Sequence, residues 1–98
     1  MKLRLLDAAV KDLIEGANYY DSKEAGLGDY FLACLYSDID KPALTGGIHP
    51  LAYQRIHRAL SARFPFAIYY SIEGEEVLVR AIIDCRRSPA WIRRHIQQ

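Results

Sequence analysis

The sequence predicts one α+β domain, spanning residues 1–98, in which two helices cover one face of a small, mostly antiparallel sheet. Two observations predict this fold class. Apolar side chains recur at helical spacing over residues 8–41, and apolar and polar side chains alternate over residues 63–83. Two amphipathic helices joined by a short connection cannot bury their apolar stripes alone, so they need a sheet to pack against. The predicted element order is β-α-α-β-β-β, followed by a short C-terminal helix.

The first half of the chain is predicted to form one strand and a hairpin of two helices. Residues 3–6 are a short apolar run, too short for a helix. Asp7 then suits the N-cap of a first helix over residues 8–22, because its carboxylate can accept hydrogen bonds from the free amides of the first turn. The second helix ends near Lys41, because the residue before a proline disfavours helical geometry. Its apolar positions are Leu27, Phe31, Leu35 and Ile39.

The second half of the chain is predicted to supply strands with one apolar face. Residues 64–72 carry apolar side chains at every second position, and a turn at Gly74 leads into a second alternating strand over residues 77–83. Residues 53–60 are predicted to add one strand before this hairpin. Together with residues 3–6 they complete the sheet.

Two further segments are assigned from their turn and capping residues. Residues 45–50 are a loop by composition, since they contain two glycines and a proline. Ser88 and Pro89 suit the start of a terminal helix over residues 89–96, because serine caps helices and proline is favoured at the first helical position.

Charge is distributed unevenly along the chain. Residues 1–50 hold five Lys and Arg against eight Asp and Glu, whereas residues 51–98 hold eight arginines against four acidic residues. This asymmetry predicts a basic surface for an acidic partner, either nucleic acid or an acidic protein segment. Strand alternation places a polar and cationic row on the sheet face opposite the helices, formed by Arg63, Tyr69, Ser71, Arg80 and Asp84.

Cysteine usage and hydropathy indicate the cellular compartment. Cys34 and Cys85 have no metal-binding spacing, so no metal site and no cofactor is predicted. No signal peptide and no transmembrane run is recognisable, which predicts no membrane partner. We therefore expect a cytoplasmic protein with reduced thiols.

Several segments in this order carry a family resemblance: Asp12-Leu13, Tyr19-Tyr20, Leu27-Gly28-x-x-Phe31, Arg63 to Tyr70, and Arg86-Arg87-Ser88-Pro89-Ala90-Trp91. The chain resembles the RelE/ParE toxin superfamily, and in particular the ParE-like plasmid stabilisation toxins of bacterial type II toxin–antitoxin systems. Ser88 departs from the pattern, which has Asp there. The resemblance implies a RelE/ParE-like fold and a toxin that is neutralised by a cognate antitoxin, ParD-like or similar.

The resemblance leaves two mechanisms open. RelE-like members cut messenger RNA in the ribosome, whereas ParE-like members inhibit DNA gyrase without being enzymes. RNA cleavage needs a base, cations for the phosphorane charge and a proton donor. The catalytic candidates for a ribosome-dependent endoribonuclease are His57, Arg58, Arg63 and Arg86. RelE-like members that resemble the type member use lysines on the sheet and a late tyrosine, but the last ones here are Lys41 and Tyr70. Other members use a His at the end of the last strand, where this sequence has Asp84 or Cys85. This favours the gyrase-binding mechanism.

The residues predicted to bind partners are Arg58, Arg63, Tyr69, Arg80, Arg86, Arg87 and Trp91. Trp91 has two interpretations, since it could stack on a nucleobase or pack the terminal helix onto the core, and we favour the second. Four tyrosines of the helical half are further candidates to anchor the antitoxin: Tyr19, Tyr20, Tyr30 and Tyr36. A third hypothesis is a non-toxic protein-interaction domain on the same scaffold.

Overall fold

The computed structural model describes residues 2–97, which form five strands and four helices. The sheet order is β1-β5-β4-β3-β2; β1 is parallel to β5, and the other neighbours are antiparallel. Within the described residues, no helix combines the length and the apolar character needed to cross a membrane. The elements are β1 Lys2–Leu5, α1 Asp7–Lys23, α2 Leu27–Ile39, α3 Pro42–Gly46, β2 Leu51–Tyr53, β3 Ile56–Leu60, β4 Phe66–Glu73, β5 Glu76–Asp84 and α4 Pro89–Ile96.

Helix α1 begins one residue earlier than predicted. Its N-cap is Leu6, which supplies no side-chain hydrogen bond, so the prediction that Asp7 caps the helix is wrong. Asp7 instead lies in the first turn, where its negative charge is favourable beside the positive end of the helix. The length and position of the helix otherwise follow the predicted apolar periodicity.

Helices α1 and α2 form the predicted hairpin, and their connection depends on one carboxylate. Asp21 Oδ1 accepts hydrogen bonds from the backbone N–H groups of Gly26 (3.2 Å) and Gly28 (2.8 Å), which satisfies two free amides at the start of α2. A Cβ on Gly28 would lie 2.4 Å from the carbonyl oxygen of Ala17. Only glycine therefore allows the two helices to approach this closely.

The hairpin buries its apolar stripe against one face of the sheet. Phe31 is fully buried and contacts Tyr20, Phe64 and Phe66, with ring centroids between 5.0 and 5.2 Å from its own. Such offset and edge-to-face contacts add to the stabilisation from burial itself. The helix-side core also contains Leu13, Leu35, Ile39, Ile68, Tyr70, Val77, Val79 and Ile82.

The segment between α2 and β4 contains more structure than predicted. The predicted single strand over residues 53–60 is a hairpin of β2 and β3, because Gln54 adopts a left-handed conformation (φ 50°) that reverses the chain. Pro42, which ends the second helical pattern, also occupies the first turn of α3. The sheet consequently has five strands rather than four.

A β-bulge in β5 changes which side chains share a face. Tyr69 pairs with Ala81 and Tyr70 pairs with Val79, so Arg80 is an extra residue between the two pairs. The alternation is reversed after the bulge. The side chains of Ile82 and Asp84 therefore point to the helix side, and the prediction that placed Asp84 on the opposite face is wrong.

The second face of the sheet is covered by α4. Ile96 is buried there against strand residues, and Trp91 and Ile92 are partly buried at its margin. The open polar row predicted for this face is therefore wrong, since much of the face is a second apolar core. The strand residues of this core include Ala67, Tyr69, Ala81 and Ile83.

The buried carboxylate of Asp12 joins α1, β5 and α4. Its Oδ2 accepts a hydrogen bond from the backbone N–H of Ile82 (2.9 Å), and its Oδ1 lies 2.7 Å from Nε2 of His95. Strand β1 pairs with β5 only as far as Val79, so the N–H of Ile82 lies beyond the end of its neighbouring strand. Burial raises the pKa of the Asp12 carboxyl, although both hydrogen bonds oppose the shift.

We expect Asp12→Ala to lower the free energy of unfolding by about 2–4 kcal/mol, because it leaves a buried N–H unsatisfied and removes the contact with His95. Urea denaturation followed by circular dichroism measures this difference. Glu15→Ala is the matched control, since Glu15 is exposed on the same helix. A loss no larger than that of the control would contradict the structural role of Asp12.

Candidate partner-binding site

The arginines that the sequence predicts to bind a partner lie in separate surroundings. Arg58 faces α4, and its Nε donates a hydrogen bond to the hydroxyl of Tyr69 (3.2 Å). Arg80 also lies on the α4 side, but its guanidinium donates to Ser71 Oγ (2.9 Å) and pairs with Glu73. This ion pair satisfies the charge of Arg80 within the chain.

Arg63 lies on the other side of the molecule, beside α2. Strand β4 begins at Phe66, so Arg63 belongs to the connection after β3 and does not follow the alternation of the strand. The buried carboxylate of Asp38 holds this connection to α2 by accepting from Ser61 Oγ (2.7 Å) and from Lys41 Nζ (3.0 Å). Although burial opposes it, these hydrogen bonds hold the pKa of Asp38 below its usual range. The prediction that Arg63 shares a strand face with Arg80 is wrong.

His57 points away from Arg58, because neighbouring residues of a strand face opposite sides of the sheet. Its ring stacks on that of Tyr70 with centroids 5.0 Å apart, and its Nδ1 lies 2.7 Å from the carbonyl oxygen of His49. Tyr70 is fully buried, and burial raises the pKa of its hydroxyl, which lies 2.6 Å from Nδ1 of His49. His57, one of the candidates for RNA cleavage, therefore lies on the sheet face opposite Arg58.

Trp91 of α4 contacts two planar side chains, those of His95 in the same helix and of Arg87 two residues before the helix begins. The guanidinium carbon of Arg87 lies 4.2 Å from the ring centroid of Trp91, and the His95 ring is stacked 4.7 Å from the same ring at 15°. The indole of Trp91 therefore already contacts a guanidinium and an imidazole of the same chain. This arrangement favours the packing interpretation of Trp91 over stacking on a nucleobase.

A groove of about 380 Å³ separates α1 from the start of α4. We call it the α1–α4 groove. It combines aromatic rings with arginines, which are the residue types that dominate binding at protein interfaces. Asp84 is paired there with Arg86 (Nη2 to Oδ2, 2.5 Å), and this hydrogen bond lowers the pKa of Asp84. The lining includes Glu15, Tyr19, Phe66, Asp84, Arg86, Arg87 and Trp91.

A second hollow, of about 220 Å³, lies between α4 and strands β2 to β4. We call it the Arg58 cleft. Its lining is mostly apolar, and the part of the chain that the structure describes contributes two cations and no acidic side chain to it. The lining includes Tyr53, Arg58, Tyr69, Pro89, Ile92 and Arg93. Across residues 2–97, no group of three or more His, Cys, Asp or Glu side chains could hold a metal ion.

Comparison with known proteins shows the fold. No protein-family model matches the chain. No curated protein matches it either. Among solved structures, one match is a chain of the chromosomal ParDE TA (toxin–antitoxin) system from P. aeruginosa, with a TM-score of 0.77 at 17% identity, covering 86% of this chain and 95% of that chain. This chain has the ParE-like toxin fold. The α+β, RelE/ParE-like architecture predicted from the sequence is thereby confirmed; at this identity the likeness is one of fold.

Within this ParE-like fold, three of the predicted partner-binding residues lie together at the α1–α4 groove, namely Arg86, Arg87 and Trp91. Two more, Arg58 and Tyr69, line the Arg58 cleft. The predictions from the sequence do not include the place of Arg93 in the lining of the Arg58 cleft or the contacts of His95 with Trp91 and Asp12. The spacing of four residues between Arg87, Trp91 and His95 would have indicated the stack, but nothing local in the sequence joins His95 to Asp12.

We expect His95→Ala to increase the exposure of Trp91 to solvent, because the substitution removes both the stacking ring and the contact with Asp12. Trp91 is the only tryptophan of the sequence, so acrylamide quenching of intrinsic fluorescence reports on α4 directly. Arg94→Ala, at an exposed position of the same helix, is the matched control. Equal quenching in the two variants would show that His95 does not hold α4 in place.

Proposed function

We propose that this protein is the toxin of a type II toxin–antitoxin pair, that it inhibits DNA gyrase by binding, and that a cognate antitoxin neutralises it. The fold similarity to a chain of a ParDE toxin–antitoxin system supports the class of protein. The state of the histidines supports binding as the mode of action.

All three histidines of the sequence make contacts that hold the fold together. His49 contacts the buried hydroxyl of Tyr70, the ring of His57 is stacked on Tyr70, and His95 contacts Asp12. Lysine does not occur after Lys41. Cleavage of RNA by its own 2′-hydroxyl needs a group that accepts the proton, placed beside the cations that hold the phosphate. The arginines around the Arg58 cleft are suited to binding an anion, and the imidazoles are engaged elsewhere.

The α1–α4 groove is the surface that we assign to the antitoxin. Tyr19 is 49% exposed at its margin, and exposed Arg87 lies over Trp91. An amphipathic segment that is disordered when free can fold into a groove of this kind, with apolar side chains reaching Phe66 on its floor. Rigid aromatic rings lower the entropic cost of such binding, because few rotatable bonds are fixed.

A RelE-like endoribonuclease is the second candidate, and one observation favours it. Arg58, Arg93 and the hydroxyl of Tyr69 converge on a cleft that could also hold a phosphate group. The third candidate is an interaction domain without toxicity on the same scaffold.

Induction of the protein in a bacterium, read out for both DNA and RNA, separates these functions. We expect growth arrest, gyrase-dependent DNA breaks and loss of supercoiling by purified gyrase, because the protein acts by binding that enzyme. Primer extension on translating ribosomes is expected to show no new cuts. Cuts at fixed codon positions that vanish in Arg58→Ala would contradict the proposal and support the endoribonuclease. Normal growth with normal supercoiling would support the non-toxic domain.

Charge reversal at the groove tests the antitoxin surface. We expect Arg87→Glu to weaken binding of the antitoxin encoded beside this gene by at least about tenfold, because the change removes the cation over Trp91 and adds a charge near Glu15. Isothermal titration calorimetry measures the affinity. Arg94→Glu makes the same charge change at an exposed position of α4 outside the lining of the groove. The same loss in both variants would contradict this surface.

A further inference from the structure

One half-buried cation lies on the second sheet face without a carboxylate beside it. The Nε of Arg58 donates to the hydroxyl of Tyr69, and its Nη2 lies 3.6 Å from Sγ of Cys85. Among residues 2–97, no acidic side chain forms an ion pair with Arg58. Removing a charge from water is energetically costly unless an opposite charge or strong hydrogen bonds replace the lost water. Partly buried charges are therefore normally paired. Arg58 therefore retains capacity for an external anion.

Two other arginines on the same half of the chain differ from Arg58 in this respect. The guanidinium of Arg80 is paired with Glu73, and that of Arg86 is paired with Asp84. These two charges are neutralised within the molecule. Arg80 and Arg86 thus form ion pairs within the chain, whereas Arg58 does not.

The surroundings of Arg58 add a second cation and an apolar wall. Arg93 of α4 is exposed and lines the same cleft, so two guanidinium groups face a hollow of about 220 Å³. Pro89 and Ile92 supply apolar surface from the helix. Guanidinium groups bind carboxylates through paired N–H donors, and the neighbouring apolar surface suits aliphatic side chains beside that carboxylate.

We propose that the Arg58 cleft binds an acidic side chain of a partner protein, presented by a segment whose adjacent residues are apolar. The inference deepens the proposed function, on which it rests for the identity of the partner: the segment belongs to the antitoxin. It assigns the acidic side chain to a place distinct from the α1–α4 groove, on the other side of α4.

The lining of the cleft favours a protein segment over RNA. The ring of Tyr69 is only 3% exposed, so its face is not available for stacking on a base. Trp91 does not line the cleft, and its ring already contacts the guanidinium of Arg87 and the ring of His95. Proteins that bind single-stranded RNA combine a cationic track with exposed aromatic rings. Besides the ring of half-buried Tyr53, the cleft offers two cations and the aliphatic surface of Pro89 and Ile92.

Titration with short peptides tests the cleft without the antitoxin. The probes are the tripeptides acetyl-Leu-Glu-Leu-amide and acetyl-Leu-Gln-Leu-amide, added to ¹⁵N-labelled protein while the arginine Nε–Hε signals are followed by NMR. We expect the Arg58 signal to move with the Glu peptide, and that peptide to bind about tenfold more tightly than its Gln counterpart, because only the carboxylate forms charge-assisted hydrogen bonds. Arg58→Gln and Arg93→Gln should each abolish the preference for Glu.

The variants include their own controls. Arg94→Gln removes a charge from an exposed position of α4 that does not line the cleft, and it should keep the preference. Arg93 is exposed and makes no ion pair with the described residues, so its variant tests the cleft even where Arg58→Gln does not fold. Equal affinity for the two peptides, or an Arg58 signal that does not move, would overturn the inference.

A short oligouridylate is the competing probe. Tighter binding of this RNA than of the Glu peptide, with movement of the Arg58 signal, would assign the cleft to RNA and overturn the inference. Preference for the Glu peptide in a protein that leaves growth and gyrase unaffected would support the cleft while contradicting the proposed toxin function. The peptide titration tests the cleft, and the growth and gyrase assays test the proposed toxin function, so the two can fail separately.

Discussion

The carboxylate of Asp12 is the contact on which the layered arrangement depends. It satisfies the N–H of Ile82 at the place where β5 extends beyond β1, and it also contacts His95 of α4. The layer of α1 and α2 and the layer of α4 lie on opposite faces of the sheet, and this contact joins them past its edge. Burying a carboxylate is unfavourable by itself, which is why the pKa of Asp12 is raised. The two hydrogen bonds offset that cost only when both neighbours are in place.

Local sequence patterns predicted the parts of the fold that local chemistry determines. The hairpin of helices follows from apolar residues at helical spacing, and the start of α4 follows from Ser88, whose hydroxyl accepts from the N–H of Trp91 (3.2 Å) as a cap. Strand β4 follows from alternation. In each of these elements, the residues that determine the structure lie close together in the sequence, within the same helix or the same strand.

The features that sequence patterns did not predict depend on distant residues. Arg80 is an extra residue in β5 only because Tyr69 and Tyr70 pair with the residues on either side of it, so the bulge is a property of two strands. The misplacement of Asp84 follows directly from that bulge. Asp12 and His95 are 83 positions apart, and no periodicity in one segment indicates their contact. The sequence therefore predicted which residue types form the candidate surfaces, but it did not predict correctly which of these residues lie together.

Four of the arginines divide into two groups by their neighbours. Arg80 and Arg86 are held by carboxylates two to seven positions away, and such exposed pairs contribute little to stability but do reduce the charge presented to a partner. Arg58 and Arg87 contact a hydroxyl and an aromatic ring instead. Net charge alone, which is +1 for the chain, cannot distinguish these groups. The neighbours of each guanidinium decide which charges remain available for binding.

Helix α4 contributes residues to both the α1–α4 groove and the Arg58 cleft. Its Trp91 lines the α1–α4 groove together with Arg87, which precedes the helix, whereas its Ile92 and Arg93 line the Arg58 cleft. A shift of this short helix would change both surfaces at once, and the contact between His95 and Asp12 opposes such a shift. A partner that occupied the groove and the cleft together would surround α4 and hold it against the sheet. Because the helix would then already be fixed by the first contact, the second contact would form at a lower entropic cost. The two surfaces are therefore expected to bind one extended partner cooperatively rather than two partners independently.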